Sequence, residues 1–463
     1  MSKQSAPYNQ IDFLIQAPVF LIVFSYMDNQ GGVSFVREYL LRLLKITPVK
    51  PEQIAHYFGF NRHETEIALA DLKQNDWIIW QDDGFIALSK DGEKLFQNNN
   101  NSDAPKIPQL KELKGEYRME LLDNNFLQKK DCDFSQQNAI KLDIDPKILS
   151  EKQEIAQKTF QHRFRQLVEN EIISSEKKDI SLYKIDAIEN KNSPVYFRFT
   201  QQFELLPKTG EAKERHDIPQ LIYQENIQQA INKKIAPCAY LDNLNKLYDS
   251  MDKIGDEDTY KILHNNRVDF SYFLDLSKKY YQKDGLYFLG QIYHHEEIFK
   301  EIDNLIKKDK DLSKKLYWLA PSDIYWGKQR KIHDKLQSLI DKQQNNYNFR
   351  LYLPLNKENQ FEKNNWKFQF KDISDEEVLY GFREGFLNGN TEILFLENQF
   401  AVVCYHARLS EYPVTLPIGF MTTKKEKVKH IQNLVENYLS SIKYIDEEPQ
   451  KNDFGKLSVK DNG

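Results

Sequence analysis

Four consecutive residues, His294-His-Glu-Glu297, have side chains of the types that bind metal ions. The surrounding pattern places them at the start of a helix, where neighbouring residues face different sides, so two of them at most could hold one ion. Acidic residues also favour the first turn of a helix because the helix dipole is positive there. We therefore interpret the group as a helix start and predict no metal site.

Sequence motifs for several other chemistries are absent. The chain has no Gly-x-x-x-x-Gly-Lys-Ser/Thr loop, no Gly-x-Gly-x-x-Gly after a strand and no Gly-x-Ser-x-Gly turn, so nucleotide hydrolysis, dinucleotide binding and serine-hydrolase chemistry lack support. Cys132, Cys238 and Cys404 lie more than a hundred residues apart and form no Cys-x-x-Cys pair. This spacing predicts neither a disulfide framework nor a thiolate zinc site, and it favours a reducing, cytoplasmic location. No cofactor is predicted.

Three helices and a β-hairpin are predicted between residues 36 and 96. Apolar spacing predicts helices at 36–45, 51–58 and 61–75, and strands at 77–80 and 85–88. Asn61 is the predicted N-cap of the third helix, whose Ile67, Leu69 and Leu72 are expected to face inward. The hairpin turns at Asp83-Gly84, where glycine supplies the positive φ that such a turn needs.

This order of elements ends in Leu88-Ser-Lys-Asp-Gly-Glu-Lys-Leu-Phe96 and resembles the winged helix-turn-helix family over about 60 residues. The resemblance implies that the third helix enters the major groove of double-stranded DNA and that the hairpin is the wing. By position it assigns DNA contact to Asn61, Arg62, His63 and Lys73. Arginine and asparagine are the types that read guanine and adenine edges.

Electrostatics favours a second interpretation of the same segment. Residues 36–96 contain eight lysines and arginines against ten acidic residues, a balance of −2. DNA binding needs cations close to the phosphates, and Asp82 and Asp83 at the wing tip are poorly suited to that contact. A winged helix that contacts protein, either a partner or a second copy of the chain, is therefore the alternative.

The C-terminal region alternates strands and helices from about residue 284. It predicts a strand and helix, a second strand with a Pro-containing loop, a long helix, the strand Asn348-Phe-Arg-Leu-Tyr-Leu-Pro-Leu355, a hairpin, and a final strand and helix. This order resembles one half of the phospholipase D superfamily fold, and its pairing with a winged helix is similar to the arrangement in TrmB-type regulators. Active superfamily members carry His-x-Lys-x-x-x-x-Asp on a hairpin. With Glu397 at the acidic position, the histidine falls on Asn390 and the lysine on Glu392, which cannot supply nucleophile or phosphate-binding cation. The alternative pair His406-Ala-Arg408 has Glu411 too close for the usual acidic spacing, so no catalytic residue is predicted.

Domain boundaries follow changes in composition such as the polar run Gln97–Pro105. The apolar stretch Pro18–Met27 is predicted as a buried helix, because it is too short to span a bilayer. The predicted parts are a winged helix-turn-helix with an N-terminal helix (1–97), a linker (98–110), a central α+β module (111–206), a helical connector (216–282), a phospholipase-D-like α/β domain (283–445) and a flexible tail (446–463).

The predicted fold is thus a multidomain α+β and α/β protein, with a C-terminal phospholipase-D-like α/β sandwich. Its net charge of −5 over 463 residues excludes a polycation that coats nucleic acid. We predict a non-enzymatic DNA-binding protein, a transcriptional regulator or a DNA-recruiting subunit, with no membrane partner. The alternatives are an adaptor of an anti-phage or mobile-element defence system, which uses the winged helix for protein contacts, and a phosphodiesterase or nuclease.

Overall fold

Helices and strands account for most of the chain in a computed structural model. It describes residues 6–28, 34–96, 104–106, 109–174, 180–192, 195–215, 225–236, 242–264, 267–280, 285–308, 313–357, 360–445 and 448–458. Much of the predicted linker 98–110 lies outside these ranges.

The helices and strands are numbered in chain order. The helices are α1 (Phe35–Ile46), α2 (Pro51–Phe58), α3 (Arg62–Gln74), α4 (Lys90–Lys94), α5 (Pro146–Glu169), α6 (Glu225–Ile235), α7 (Leu244–Ile254), α8 (Glu257–Ile262), α9 (Phe270–Tyr280), α10 (Glu296–Lys308), α11 (Lys331–Asn346), α12 (Gln360–Gln369) and α13 (Lys425–Ser440). The strands are β1 (Ala6–Gln16), β2 (Val19–Asp28), β3 (Ile78–Trp80), β4 (Ile86–Leu88), β5 (Gln109–Met119), β6 (Phe126–Leu127), β7 (Cys132–Asp133), β8 (Ile140–Lys141), β9 (Ile180–Lys191), β10 (Tyr196–Leu205), β11 (Ala212–Arg215), β12 (Leu263–His264), β13 (Arg267–Val268), β14 (Gly285–Leu289), β15 (Lys315–Leu319), β16 (Asn348–Leu355), β17 (Leu379–Arg383), β18 (Thr391–Leu396), β19 (Phe400–Ala407), β20 (Leu416–Thr422), β21 (Ile442–Ile445), β22 (Glu448–Lys451) and β23 (Asp453–Lys456).

The chain divides into two compact units that interleave along the sequence. The smaller unit comprises Ala17–Lys130 and Asp145–Pro194, and the larger unit comprises Met1–Gln16, Asp131–Ile144 and Val195–Gly463. Both units combine helices with sheets, which confirms the multidomain α+β class in general terms. The predicted boundaries at 97, 111 and 206 do not coincide with this division, because strands far apart in sequence pair with one another.

In the smaller unit, four antiparallel strands form a sheet in the order β6-β5-β2-β9. Strand β2 contains the apolar run after Pro18, so the prediction of a buried N-terminal helix there is wrong. Phe20, Ile22 and Phe24 are fully buried while the residues between them are partly exposed, which is the period of two that a strand produces. Periodicity alone cannot decide whether a short run of β-branched and aromatic residues forms a strand or a buried helix.

The same unit contains the segment 34–96, in which α1, α2 and α3 are followed by the hairpin β3–β4 and by α4. Its elements lie where the sequence predicts three helices and a hairpin. Leu40, Leu41, Ile54 and Leu72 are at the centre of its core. Ile67 is 57 % exposed, contrary to the prediction, because Thr65, Leu69 and Leu72 form the buried stripe of α3.

In the larger unit, a five-stranded sheet has the order β11-β10-β1-β8, with β7 also paired to β10. Strand β10 pairs along its length with β1, whereas β9 pairs with β2 of the smaller unit's sheet. The strands of the predicted central module 111–206 therefore belong to two different sheets. Strand β10 pairs with β1, and β9 pairs with β2. The described residues of the predicted connector 216–282 include helices α6 to α9 and the short hairpin β12–β13.

An eight-stranded mixed sheet dominates the larger unit, in the order β14-β20-β19-β18-β15-β16-β17-β23. Strands β15, β16 and β17 are parallel and the other pairings are antiparallel. Residues 446–463 are not a wholly loose tail, because β23 pairs with β17 and Leu457 is buried in the core. Strand β23 has few apolar residues, and pairing through backbone hydrogen bonds does not depend on residue type. The composition of this segment therefore did not predict the strand. No helix within the described ranges has the length and apolar content that crossing a membrane requires.

Candidate functional site

Asn61 is the N-cap of α3, as the sequence predicts. Its side chain accepts a hydrogen bond from the Glu64 backbone N–H at 2.9 Å, and the Glu64 carboxylate accepts one from the Asn61 N–H at 2.8 Å. This reciprocal pair satisfies two backbone donors at the helix start. The Asn61 amide oxygen is therefore engaged in folding α3, and reading an adenine edge would compete with the cap.

Arg62, His63 and Lys73 all lie on the exposed side of α3. The Arg62 side chain is 93 % exposed, and its Nε lies 3.0 Å from a carboxylate oxygen of Glu66 one turn on. The structure thus places three of the four predicted DNA-contacting residues on one helix, with an acidic residue paired to Arg62. DNA contact by these residues stays a prediction.

Each of the three arginines between residues 34 and 96 is paired with a carboxylate. Arg37 pairs with Asp71, Arg42 with Glu38 and Arg62 with Glu66. Phosphate binding would have to displace these carboxylates or tolerate their negative charge, and either lowers affinity. The exposed pair Asp82 and Asp83 at the turn of the hairpin adds further negative charge.

Large apolar side chains are exposed on α3 and on the hairpin strand that follows it. Ile67 is 57 % exposed, Ile79 is 49 % exposed and Trp80 is 47 % exposed. We call the exposed residues of α3 and β3 the α3–hairpin surface, in which Ile79 and Trp80 are consecutive on β3 and so point to opposite faces of the hairpin: Arg62, His63, Glu66, Ile67, Lys73, Ile79 and Trp80. Aromatic, aliphatic and arginine side chains of this kind are typical of the centres of protein interfaces.

A second group of polar side chains is buried in the larger unit. Strands β18 and β19 form a hairpin in which Glu392 is directly opposite Cys404, and His406 follows two residues later on the same face of β19. Asp323 belongs to the loop after β15. We call Asp323, Glu392, Cys404 and His406 the buried polar cluster, and all four are nearly inaccessible to solvent.

The imidazole of His406 connects the two carboxylates of this cluster. Its Nδ1 lies 2.8 Å from Asp323 Oδ2 and its Nε2 lies 3.1 Å from Glu392 Oε2. The other Glu392 oxygen, Oε1, accepts hydrogen bonds from the indole N–H groups of Trp318 at 2.7 Å and Trp326 at 2.8 Å. Thr415 Oγ1 donates to Asp323 Oδ2 at 2.8 Å. Every carboxylate of the cluster is thereby hydrogen-bonded, as burial of charge requires.

The pKa values of the cluster follow from burial and from these contacts. Burial lowers the pKa of His406, but contact with Cys404, Asp323 and Glu392 outweighs burial and holds that pKa well above its usual value. Burial raises the pKa of Asp323, and the contact with His406 outweighs this effect and holds it below the usual value. Burial raises the pKa of the Cys404 thiol to about 11. Asp323, His406 and Glu392 thus form a row of hydrogen-bonded side chains beside the Cys404 thiol.

The positions that the phospholipase D resemblance assigns do not converge. Glu392 is the second residue of β18, whereas Glu397 follows the last residue of that strand. The Glu397 carboxylate accepts a hydrogen bond from the Lys315 N–H. Asn390 donates from its side-chain amide to the Asn388 carbonyl oxygen. Glu392 accepts from two buried tryptophans and does not face solvent. The resemblance itself stays a prediction.

His294 and His295 precede helix α10, which begins at Glu296, and Glu297 is exposed. Burial lowers the pKa of His294 to about 3 and that of His295 to about 4, from an ordinary value of 6.5. Both imidazoles are therefore neutral at physiological pH. Helix α10 has Glu296 and Glu297 in its first turn, as the interpretation of this group as a helix start predicts.

The partly buried His294 and His295 should make stability depend on pH. As the pH falls below 6.5, both histidines bind protons in the unfolded chain but stay neutral in the folded chain. The folded state therefore loses stability as the pH falls toward 4. Between about pH 7.5 and about pH 5, we expect the free energy of unfolding to fall by about 2–4 kcal/mol more in the wild-type protein than in a His294→Gln, His295→Gln variant. Denaturant titrations at both pH values measure this difference. The exposed His430→Gln variant should follow the wild type, and an equal fall in all three proteins would contradict the prediction.

Comparisons with protein-family models, with curated proteins and with solved structures returned no match. Function is therefore inferred from the residues and their geometry.

Reasoning from the sequence did not find the buried polar cluster. Cys404 and His406 are two residues apart on a strand, which places both side chains on one face, and this spacing was the available signal. In the sequence, Glu392 is only a carboxylate at the position where the phospholipase D motif has a lysine. Asp323 gave no signal, because its contact with His406 spans 83 residues.

Proposed function

We propose that this protein is a non-enzymatic adaptor whose α3–hairpin surface binds a protein partner. The observation that carries the proposal is the exposure of Ile67, Ile79 and Trp80 on the helix and hairpin that a winged helix would present to a ligand. Burying such side chains against a partner removes apolar area from water and is the main source of affinity in protein interfaces.

Charge supports the same choice. A protein surface of mixed charge can complement the Arg62–Glu66 pair, whereas a uniformly negative phosphate backbone is repelled by Glu66 and by the two aspartates of the hairpin turn. Double-stranded DNA bound through Asn61, Arg62, His63 and Lys73 is the competing function. The two functions differ in their dependence on salt and on single residues.

Site-specific crosslinking in the organism that encodes the protein tests the proposal. A photoreactive amino acid at Ile67 should give one discrete product with a protein, and a product of twice the chain mass would identify a second copy as the partner. The same amino acid at Gln53, an exposed position on α2, is the matched control and should give no such product. Adding Trp80→Asp should lower the yield at Ile67 about tenfold or more, as loss of a central aromatic residue does.

Fluorescence anisotropy with duplex DNA at low and high salt provides the opposing test. The proposal expects no salt-sensitive binding by the full-length protein. Salt-sensitive binding that Arg62→Ala weakens by about 1–3 kcal/mol, together with no crosslinked protein at Ile67, would overturn it in favour of DNA recognition.

A further inference from the structure

Three side chains of different ligand type converge in the buried polar cluster. Ligand atoms of Glu392, Cys404 and His406 all lie within 4.8 Å of one another, and all three residues are buried. We propose that these residues form a binding site for a divalent transition-metal ion, with Zn²⁺ as the best match. Thiolate, imidazole and carboxylate are the three ligand types that zinc takes in proteins.

The spacing of the nitrogen and oxygen ligands suits a metal ion. Glu392 Oε2 and His406 Nε2 are 3.1 Å apart. Zinc binds both atom types at roughly 2.0–2.2 Å, so one ion can contact both atoms at an angle close to tetrahedral with little movement of either side chain. Cys404 is directly opposite Glu392 in the hairpin, and its side chain lies on the same face of β19 as that of His406. Its thiolate provides the third ligand.

Neighbouring groups already orient two of the three ligands, His406 and Glu392. Asp323 Oδ2 lies 2.8 Å from His406 Nδ1, which directs the other ring nitrogen, Nε2, toward Glu392. A carboxylate held against the far nitrogen of a ligating histidine is the usual support of such a ligand. The indole N–H groups of Trp318 and Trp326 occupy Glu392 Oε1, which leaves Oε2 for the ion.

Binding of Zn²⁺ to these three residues requires a neutral imidazole, a carboxylate and a thiolate, so any proton held on a ligand atom is released as the ion binds. Direct bonds to the ion then replace the hydrogen bond between Glu392 and His406.

The residue after Gly290 carries a side-chain amide, which has the chemistry of a fourth ligand. Gln291 follows Gly290, whose carbonyl oxygen lies 3.8 Å from Cys404 Sγ. Gln291 is fully buried, and among the described residues neither its amide oxygen nor its amide nitrogen has a hydrogen-bond partner. We assign the fourth position to this amide oxygen or to a water molecule.

The ion would enter during folding, because the residues are not accessible in the folded chain. The test therefore unfolds the full-length protein with a chelator, removes the chelator and refolds the protein with Zn²⁺ or Co²⁺ alone. We expect about one metal ion per chain by elemental mass spectrometry and, with cobalt, a thiolate-to-cobalt charge-transfer absorption band.

Single substitutions identify the ligands. Cys404→Ser should abolish the charge-transfer band and lower metal content about tenfold or more, while Cys132→Ser, the matched control at the other described cysteine, should leave both unchanged. Asp323→Asn should keep the band and weaken metal affinity by about 10–100-fold, as loss of a supporting carboxylate does. If a substitution prevents folding, the wild-type spectrum and stoichiometry still decide. Wild-type protein that refolds without metal uptake, or a Cys404→Ser variant that keeps the band, would overturn the proposal.

Discussion

Replacing Arg198 with methionine is expected to lower the free energy of unfolding of the larger unit by about 3–5 kcal/mol. Arg198 is on β10, and its side chain is only 11 % exposed. Its guanidinium donates to Asp133 at 2.7 Å and to Asp12 at 3.1 Å, and it also donates to the backbone carbonyl oxygens of Ser135, Gln137 and Asn138. Methionine has a similar length and no charge, so the buried Asp12 and the partly buried Asp133 lose their shared cation while the packing volume changes little. Asp133 keeps its pair with Arg330 at 2.9 Å.

Arg267 offers a matched control for that substitution. It also forms a two-bond pair with a carboxylate, Glu411, but its side chain is 49 % exposed. Water screens this pair, so Arg267→Met should leave the free energy of unfolding almost unchanged. Denaturant titration followed by the fluorescence of the buried Trp318 and Trp326 measures both variants. Equal effects of the two substitutions would show that burial does not determine the strength of the Arg198 pair.

The Arg198 network also shows which contacts the sequence could not reveal. Aspartate and arginine are usually exposed, so their residue types do not mark Asp12, Asp133 and Arg198 as partners. These residues also lie up to 186 positions apart in the sequence. Periodicity and motif analysis detect local order, so they gave the helices and hairpin of residues 34–96 close to their observed positions. They could not detect that β1 pairs with β10 or that β23 pairs with β17, because such pairs are selected by tertiary packing.

The same limit applies to the candidate sites. The residues of α3 could be assigned from sequence because they lie within one helix, although which of them face solvent had to be seen, as Ile67 illustrates. The buried polar cluster needs Asp323 from one loop and a register that places Glu392 opposite Cys404. A shift of one residue in that hairpin would move Glu392 to the other face of the sheet. The ligand set therefore depends on pairing that sequence alone leaves open.

Replacing Phe160 with alanine is expected to destabilise the smaller unit by about 3–5 kcal/mol. Phe160 is fully buried on α5, and its ring contacts the rings of Phe24, Tyr117, Phe126 and Phe164 at centroid distances of 5.1 to 5.9 Å. The substitution leaves a cavity between α5 and the sheet, and it removes several edge-to-face contacts at once.

Hydrogen exchange of peptides from β2 and β9 reports on this sheet directly, whatever the stability of the larger unit. Phe160→Ala should speed exchange in both strands by about a hundredfold or more, because each 1.4 kcal/mol of lost stability raises the open population about tenfold. Tyr183→Ala on β9 is the matched control, since its ring is 66 % exposed and its loss leaves no cavity. Acceleration restricted to α5, with β2 and β9 protected as in the wild type, would show that the helix is not required to hold the sheet together.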